Sequence, residues 1–300
     1  MNAVELERIS KTFKSVKAVD DLSLSVPEGS IYGFIGPNGS GKTTTLRMIM
    51  RIYYPDAGSG AIRILGNDHS AAANDRIGYL PEERGLYRKM KVRDLLKFFL
   101  ELHGHRRNLS EPIRSWLARL RLSDWADKKV EALSKGMSQR IQFIAAVVHS
   151  PRLLILDEPF SGLDPVSTED LREAILELRR NGATVLFSTH DMHMAEKMCD
   201  YVLMIYQGRK VLDGTLESIQ ARYGADTLRV AVEGNGQSLA SLPGVERVAD
   251  FGRLAELKMR DGTDPQRVLE ALIARGRVTH FELTRPTLHD IFVRIARPKE

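Results

Sequence analysis

The sequence predicts an α/β fold, with helices on both faces of a mainly parallel β-sheet, followed by a small α+β domain. Three observations lead to this prediction. Short apolar segments alternate with helical ones before Tyr223, a glycine-rich loop joins one apolar segment to a helix, and the order of elements changes near Tyr223-Gly224. Alternating strands and helices are typical of a parallel sheet, because each parallel connection must cross back over a face of the sheet.

The composition is that of a globular chain with two domains. Its 300 residues are 43% hydrophobic and 28% charged, which is enough for a core and a soluble surface. The formal net charge of +5 is spread along the sequence without a basic block, so we expect a solvated surface and no nucleic-acid partner. Cys199 is the only cysteine, which excludes a disulfide within the chain and suits a reducing cytosol.

The sequence shows no pattern typical of a signal peptide or a membrane span. The first ten residues include Glu5 and Glu7 and lack the apolar centre of a signal peptide. No stretch approaches the ~20 apolar residues that a membrane-spanning helix needs. If the chain acts at a membrane, we expect it to do so by docking onto another protein.

The first elements are strands with alternating apolar residues, among them Val4, Leu6, Leu22, Leu24 and Val26. The apolar run from Ser30 to Ile35 then predicts a buried strand that enters a tight loop at Gly36. Further along we predict a helix at Thr43–Arg51, strands at Leu153–Leu156 and Thr184–Ser188, and a helix at Thr168–Arg180. These elements belong to a first domain that spans residues 1–222.

Residues 91–149 predict a helical subdomain inserted into this α/β core. The stretch is rich in Leu, Arg and Ala and has no strand pattern. Three helices are predicted, at Val92–His103, Glu111–Leu120 and Ser138–His149.

Residues 225–300 predict a separate accessory domain. Strands are expected at Thr227–Glu233, Val245–Asp250, Arg253–Met259 and Val278–Leu283, and helices at Gln237–Leu242, Asp264–Arg275 and Pro286–Ala296. Asp264 followed by Pro265 is a typical helix start. The order β-α-β-β-α-β followed by a helix is that of a ferredoxin-like unit.

The loop between the first buried strand and helix has the spacing of a phosphate-binding P-loop: Gly36, Pro37, Asn38, Gly39, Ser40, Gly41, Lys42 and Thr43, with Thr44 next. Its glycines let backbone N–H groups turn toward a phosphate at a helix N-terminus. Lys42 would bind the β- and γ-phosphates, and Thr43 would ligate Mg²⁺. An ordinary glycine-rich turn is the alternative, but a chance match is on the order of one in a hundred.

The strand at Leu153–Leu156 ends in two carboxylates, Asp157 and Glu158. An Asp at a strand end can hold Mg²⁺ through water, and the next acid can polarise an attacking water. Many strands end in solvated acids, so this pattern gains its meaning from the P-loop. Together the two motifs predict an NTPase that uses Mg²⁺.

Three further motifs resemble those of ABC ATPases. Leu133-Ser134-Lys135-Gly136-Met137 is similar to the family's signature motif, usually Leu-Ser-Gly-Gly-Gln. Ser161-Gly162-Leu163-Asp164 resembles its D-loop, and Ser188-Thr189-His190 contains its switch histidine. With the P-loop and the acidic strand end, the motifs follow the family's order across residues 1–222.

The resemblance implies a dimer with two ATP molecules between the subunits. Each ATP would lie between the P-loop of one subunit and the signature motif of the other, so Ser134 and Gly136 would contact the γ-phosphate from the partner. His190 would contact the γ-phosphate within its own subunit. Phe13 lies where the family places an aromatic ring against adenine, and a core position is the alternative for this side chain.

The sequence departs from the family pattern at two positions. Glu82 replaces the family's Q-loop glutamine, and Met137 replaces the last glutamine of the signature. Glu82 keeps an oxygen that can face Mg²⁺ or the attacking water, so we expect ATPase activity to persist. Three segments together resemble the sodium-export and drug-resistance branch, NatA-like and DrrA-like: the phrase Leu80–Tyr87 (LPEERGLY), the signature Leu133–Met137 (LSKGM) and the tail Thr284–Phe292 (TRPTLHDIF).

The resemblance therefore implies an ATP-hydrolysing subunit that uses Mg²⁺, forms a dimer and powers a separate permease at the cytoplasmic face of the membrane, for export. A soluble ABC-type ATPase acting on the ribosome or DNA is the first alternative. It is disfavoured because the chain has one P-loop, one signature and no heptad run. The second alternative is a regulatory module that holds ATP without hydrolysing it, and the intact Lys42, Asp157, Glu158 and His190 argue against it.

Overall fold

The structure is a computed structural model that describes residues 1–66, 75–83, 85–223, 227–233, 239–250, 252–260 and 262–296. The chain divides into two compact units, Met1–Thr215 and Leu216–Glu300. This division precedes the expected boundary, because the helix Leu216–Tyr223 groups with the second unit. Within that unit the side-chain amide of Gln220 donates a hydrogen bond to the carbonyl of Pro286, at 3.1 Å. Residues 224–226, around the expected boundary, lie outside the described residues.

The first unit begins with an antiparallel sheet of three strands. These are β1 (Asn2–Phe13), β2 (Val16–Pro27) and β4 (Ile62–Ile64), in the order β2-β1-β4. The alternating apolar residues predicted to face a core are all buried: Val4, Leu6, Leu22, Leu24 and Val26. They pack over the first helix, α1 (Lys42–Ile49), and the main sheet.

Among the described residues the main sheet has six strands, in the order β5-β6-β7-β3-β8-β9. They are β3 (Ile31–Ile35), β5 (Ile77–Leu80), β6 (Leu153–Asp157), β7 (Thr184–Thr189), β8 (Tyr201–Tyr206) and β9 (Arg209–Gly214). Every pairing is parallel except that of β8 with the edge strand β9. All residues of β3, β6 and β7 are buried, as expected for parallel strands covered on both faces. The mainly parallel sheet is confirmed.

The inserted helical region contains α2 (Val92–Leu102), α3 (Ser110–Arg119) and α4 (Lys135–Val147). Helix α4 begins three residues before the expected start at Ser138, because the Ser134 side chain caps it by accepting a hydrogen bond from the Met137 N–H, at 3.2 Å. Helix α5 (Pro165–Arg180) likewise begins before the expected Thr168, since Asp164 caps it. The last helix of this unit is α6 (Met192–Met198). No helix among the described residues is long and apolar enough to cross a membrane.

The second unit starts with α7 (Leu216–Tyr223) and contains a four-stranded antiparallel sheet in the order β11-β12-β10-β13. Its elements are β10 (Thr227–Glu233), β11 (Val245–Asp250), β12 (Ala255–Met259), α8 (Pro265–Ile273), β13 (Arg277–Thr284) and α9 (Leu288–Ala296). This strand order is that of the predicted ferredoxin-like unit. Where a helix was expected at Gln237–Leu242, the structure has a 3₁₀ turn at Leu239–Ser241, and residues 234–238 lie outside the described part.

Candidate nucleotide-binding site

The P-loop connects β3 to α1 and requires glycine at two positions. Gly36 and Gly41 have φ values of +151° and +110°, which L side chains rarely adopt. A Cβ atom on Gly36 would lie 2.2 Å from the carbonyl oxygen of Ile205, and one on Gly41 would lie 2.4 Å from that of Ala18. The loop is therefore held against two neighbouring backbones while its amides lie at the start of α1, where an anion is favoured.

Lys42 is the buried cation of the loop, with 5% of its surface exposed. Its ammonium donates hydrogen bonds to the carbonyl oxygens of Gly36, at 2.8 Å, and Pro37, at 3.1 Å, and lies 3.9 Å from the Glu158 carboxylate. Burial lowers the pKa of Lys42, and the nearby charges of Glu158, Asp157 and Glu82 oppose that shift. A buried ammonium whose hydrogen bonds go to backbone carbonyls is suited to bind phosphate oxygens in their place.

Asp157 lies at the end of β6, fully buried beside the P-loop. One carboxylate oxygen, Oδ1, accepts hydrogen bonds from the hydroxyls of Thr43, at 3.1 Å, and Ser188, at 2.5 Å. The other, Oδ2, has no hydrogen-bond partner among the described residues. A buried carboxylate oxygen left unpaired next to a threonine hydroxyl fits a site for Mg²⁺, which prefers oxygen ligands and water.

Ser188 is a site residue whose own role the sequence analysis did not foresee. It also accepts a hydrogen bond from the backbone N–H of Glu158, at 3.1 Å. The strand register pairs it with Asp157, because both residues lie at the carboxyl ends of neighbouring parallel strands, Asp157 as the last residue of β6 and Ser188 as the last but one of β7. Its place at the end of a predicted parallel strand was the available signal, since carboxyl ends of parallel strands meet at one edge.

Glu158 combines a buried side chain with an unusual backbone. Its φ of +50° lies in the left-handed region, where a non-glycine residue is strained, and such strain clusters at functional sites. Both carboxylate oxygens lie 3.1 Å from Nδ1 of His190. Burial raises the pKa of Glu158, while the hydrogen bond from His190 and the charge of Lys42 oppose that shift.

Glu82 follows β5 and helps to line a cleft of about 190 Å³ together with the P-loop and Glu158. Gln142 of α4 holds this loop from the other side. Its amide donates hydrogen bonds to the carbonyl oxygens of Pro81, at 3.4 Å, and Glu83, at 3.2 Å. No sequence motif singled out Gln142, because only the fold brings α4 against the loop.

Phe13 lies at the end of β1 with 39% of its surface exposed, so it is not a core residue. Its ring meets that of Tyr53 edge to face, with centroids 5.2 Å apart, and the Lys11 ammonium lies 5.5 Å from the ring centroid. An exposed aromatic ring that is held in place by contact with a second ring can stack on a base.

The signature residues do not line the cleft that holds the P-loop. Ser134 is exposed at the N-terminus of α4. Gly136 is the second residue of this helix, and a Cβ added there would be 3.6 Å from Leu163. Gln139 donates a hydrogen bond to the carbonyl of Pro159, at 3.2 Å, which ties this helix to the segment after Glu158. The structure thus brings together the P-loop, Glu82, Asp157, Glu158 and His190, and leaves Ser134 and Gly136 apart from them.

A glycine-rich loop that wraps a buried lysine, beside two carboxylates at a parallel strand end, defines a P-loop nucleotide-binding protein. Comparison with known sequences narrows this class. The family profile described as ABC transporter matches residues 19–161, and the profile of the ATP-binding protein DrrA1-3-like C-terminal domain matches residues 214–296.

Individual relatives are similar in sequence to this protein over nearly its whole length. The uncharacterized ABC transporter ATP-binding protein YhaQ of Bacillus subtilis (strain 168) is 40% identical over 289 residues, which cover 96% of each chain. The Nod factor export ATP-binding protein I of Sinorhizobium fredii (strain NBRC 101917 / NGR234) is 36% identical over 301 residues, covering 98% of this chain and 85% of that protein. A solved ATP-binding subunit of an ABC transporter matches with a TM-score of 0.69 at 30% identity, covering 74% of this chain and 93% of that one.

The chain belongs to the ATP-binding subunits of ABC transporters. The predicted fold is confirmed, and so is its likeness to the drug-resistance and sodium-export branch, since the DrrA-like profile covers the second unit.

Proposed function

We propose that this chain binds Mg-ATP in the P-loop cleft, hydrolyses it, and drives a separate transmembrane permease from the cytoplasmic face of the membrane. One observation carries the proposal most directly. The buried Glu158 carboxylate lies between the exposed His190 and the buried Lys42, at the mouth of a phosphate-binding loop. A carboxylate in that position can orient a water toward a bound γ-phosphate.

Each residue has a distinct task in this mechanism. The P-loop amides and Lys42 bind and orient the β- and γ-phosphates, while the exposed ring of Phe13 stacks on the adenine. Glu158 holds the attacking water and accepts its proton, and His190 positions the carboxylate and meets the γ-phosphate. Thr43, Asp157 and Glu82 would hold Mg²⁺, which supplies charge neutralisation for the phosphates.

The separation of the signature motif from the cleft supports assembly as a dimer of identical subunits. Ser134 and Gly136 lie at an exposed helix N-terminus, which favours phosphate but is not directed into the chain's own P-loop cleft. Two copies arranged head to tail would place each signature on the partner's γ-phosphate. Closure on ATP would then transmit work to the permease, because ATP favours the closed pair.

The permease would contact a groove beside Glu82. This groove of about 350 Å³ is lined by side chains of α2, α4 and the loop after β5, among them Leu86, Phe99 and Gln142. Because Gln142 also holds the loop that carries Glu82, a segment docked here would sense changes at the nucleotide. The relative named as a Nod factor export protein supports export as the direction.

The first test is turnover by the purified whole chain. We expect phosphate release from ATP in the presence of Mg²⁺ and its loss when the metal is chelated. ATP binding without any release would identify a regulatory module instead. Co-purification with a polytopic membrane protein encoded by the neighbouring gene tests the partner, and recovery with ribosomes in its place would support the soluble alternative.

A further inference from the structure

Two basic segments that are far apart in the sequence form one surface in the fold. Residues 88–93 run antiparallel to residues 126–131 through backbone hydrogen bonds, including one from the Val92 N–H to the Lys128 carbonyl at 3.0 Å. An isolated bridge sets Lys91 opposite Lys129. We call this pair of segments the basic ribbon. Its first half is a basic run in the sequence, RKMKVR at residues 88–93, so the expectation of evenly spread charge without a basic block was wrong here.

The basic ribbon has more cations than its own acids can balance. It contains six basic residues, Arg88, Lys89, Lys91, Arg93, Lys128 and Lys129, and two acidic ones, Asp127 and Glu131. A third acid, Asp94, directly follows its first segment. All three acids lie near Arg93 or Lys129, at 2.7 to 3.8 Å. Within the described part of the chain, no ion pair is formed by the other four cations, which are all exposed: Arg88, Lys89, Lys91 and Lys128.

The position of these cations opposes local stability. Lys91 is the N-cap residue of α2 and makes no side-chain cap, although the N-terminus of a helix favours negative charge. Lys91 also faces Lys129 across the bridge, and like charges opposite each other are destabilising. This placement of cations is unfavourable in the isolated fold. It would become favourable on contact with an anionic surface outside the chain.

Exposed apolar side chains lie beside these cations, just before α2 and along it. Tyr87, next to Arg88, is 56% exposed and meets the ring of Phe98 edge to face, with centroids 5.6 Å apart. Leu102, one turn further along the helix, is 63% exposed. Cations beside an exposed tyrosine and other apolar groups are typical of a surface that meets the headgroup region of a bilayer.

We infer that the basic ribbon binds the anionic phospholipid headgroups of the membrane in which the permease lies. Clusters of four or more Lys and Arg residues bind acidic lipids through their combined charge, without a pocket for one molecule. The apolar flank favours a bilayer over a nucleic acid, because a phosphate backbone alone gives Tyr87, Phe98 and Leu102 nothing to contact. This inference goes beyond ATP hydrolysis and does not depend on turnover, although the choice of membrane rests on the proposed function.

The test is flotation of the purified whole chain with two kinds of vesicle, one of phosphatidylcholine and one of phosphatidylcholine mixed with phosphatidylglycerol. We expect binding only to the vesicles with phosphatidylglycerol, and weaker binding as salt is raised. The double variant Lys91→Gln/Lys128→Gln should partition roughly 25-fold less strongly, or about fivefold for each cation. The control Arg180→Gln/Lys197→Gln removes the same charge from exposed positions of α5 and α6 and should bind like the wild type.

Equal loss in both double variants would reduce the effect to net charge and overturn the assignment, as would failure of the wild type to float. Retention on a DNA duplex without vesicle binding would assign the ribbon to nucleic acid instead. ATP hydrolysis in lipid-free buffer, measured on the same preparations, keeps the proposals separate. A chain that hydrolyses ATP but ignores vesicles contradicts only the lipid site, and one that floats without turnover contradicts only the proposed function.

Discussion

Both carboxylate oxygens of Glu158 lie 3.1 Å from Nδ1 of His190, although 60% of the histidine side chain is exposed and only 10% of the glutamate. The histidine therefore covers the acid on its solvent side. A phosphate that enters from solvent would meet the imidazole first, and a water held between phosphate and protein would meet the carboxylate.

This arrangement predicts that Glu158→Gln binds ATP but hardly hydrolyses it. The amide keeps the shape of the side chain and removes the charge that orients water and accepts its proton. The expected loss of turnover is about 10²–10⁴-fold, the usual contribution of a general base. Glu83→Gln, which removes a carboxylate 84% exposed beside Arg47, is the matched control and should keep turnover. Wild-type phosphate release by Glu158→Gln would show that another group activates the water.

Lys42→Ala should lose nucleotide affinity first. The ammonium is the buried cation of the P-loop, and a hydrogen bond to a charged group contributes about 1.5–3 kcal/mol. ATP should therefore bind roughly 10- to 100-fold more weakly. Binding is measured by fluorescence titration, with the exposed Lys197→Ala as the control. Unchanged affinity in Lys42→Ala would exclude the P-loop as the main phosphate site.

The sequence was sufficient to predict the parts of the site that each lie on one continuous segment of the chain. The P-loop and the pair Asp157 and Glu158 were predicted because their chemistry depends on local spacing at the ends of strands. Ser188 and Gln142 escaped notice because their contacts join elements that the sequence separates by 31 and about 60 residues. The basic ribbon as one surface was not predicted either, since only the fold pairs residues 88–93 with residues 126–131.

The predicted start of a helix was wrong where a capping side chain determines it. Ser134 and Asp164 each start a helix three residues before the first residue that the apolar pattern supports. A cap acts through one or two hydrogen bonds to the backbone, whereas the apolar pattern depends on the buried face of several turns. The buried strands β3, β6 and β7 were predicted, because burial on both faces leaves a continuous apolar run. The strand β8, whose central residues are also buried, was not predicted.

The environment of His149 predicts that acid lowers the stability of the fold. Its ring stacks on that of His103, with centroids 3.7 Å apart, and its Nε2 lies 3.3 Å from the carbonyl oxygen of Ile77. Burial lowers the pKa of His149 to about 4, with a further contribution from His103. The native state therefore resists a proton that the unfolded chain accepts near its usual pKa of about 6.5.

The stabilisation from neutral His149 is fully present above the unfolded pKa and is lost as the pH falls toward about 4. This single group should lower the free energy of unfolding by at most about 3 kcal/mol over that window. His149→Gln keeps a donor for Ile77 and should flatten the pH dependence in urea unfolding. The exposed His193→Gln is the control, and an equal slope in wild type and His149→Gln would contradict the assignment.

The two compact units predict that residues 1–215 fold without the rest of the chain. The second unit has its own core, formed by buried residues that include Leu228, Leu257 and Leu272, and the nucleotide site lies wholly in the first. We expect the fragment to be soluble, to unfold cooperatively and to bind ATP with the affinity of the full chain. Insolubility of the fragment, or loss of ATP binding, would show that the units depend on each other.

The last prediction concerns the partner subunit. Each chain presents a P-loop and, apart from it, a signature helix with Ser134 at its exposed N-terminus. A dimer held together by ATP would join these two half-sites, while hydrolysis would release it. The wild type should therefore be mostly monomeric, and Glu158→Gln should dimerise when ATP is added, because its bound triphosphate persists.

Adding Ser134→Arg to Glu158→Gln should abolish that dimer and leave ATP binding at the P-loop intact. Arginine places bulk where the partner's γ-phosphate must lie, and it removes the cap of α4 at a cost of about 1 kcal/mol. Ser123→Arg in the same background adds equal bulk and charge at another exposed serine of the helical subdomain and should still dimerise. Sedimentation with and without ATP measures assembly, and thermal melting checks that the monomers remain folded. Dimers that persist with Ser134→Arg would mean that the signature does not complete the partner's site, and hydrolysis would then need another arrangement of the same residues.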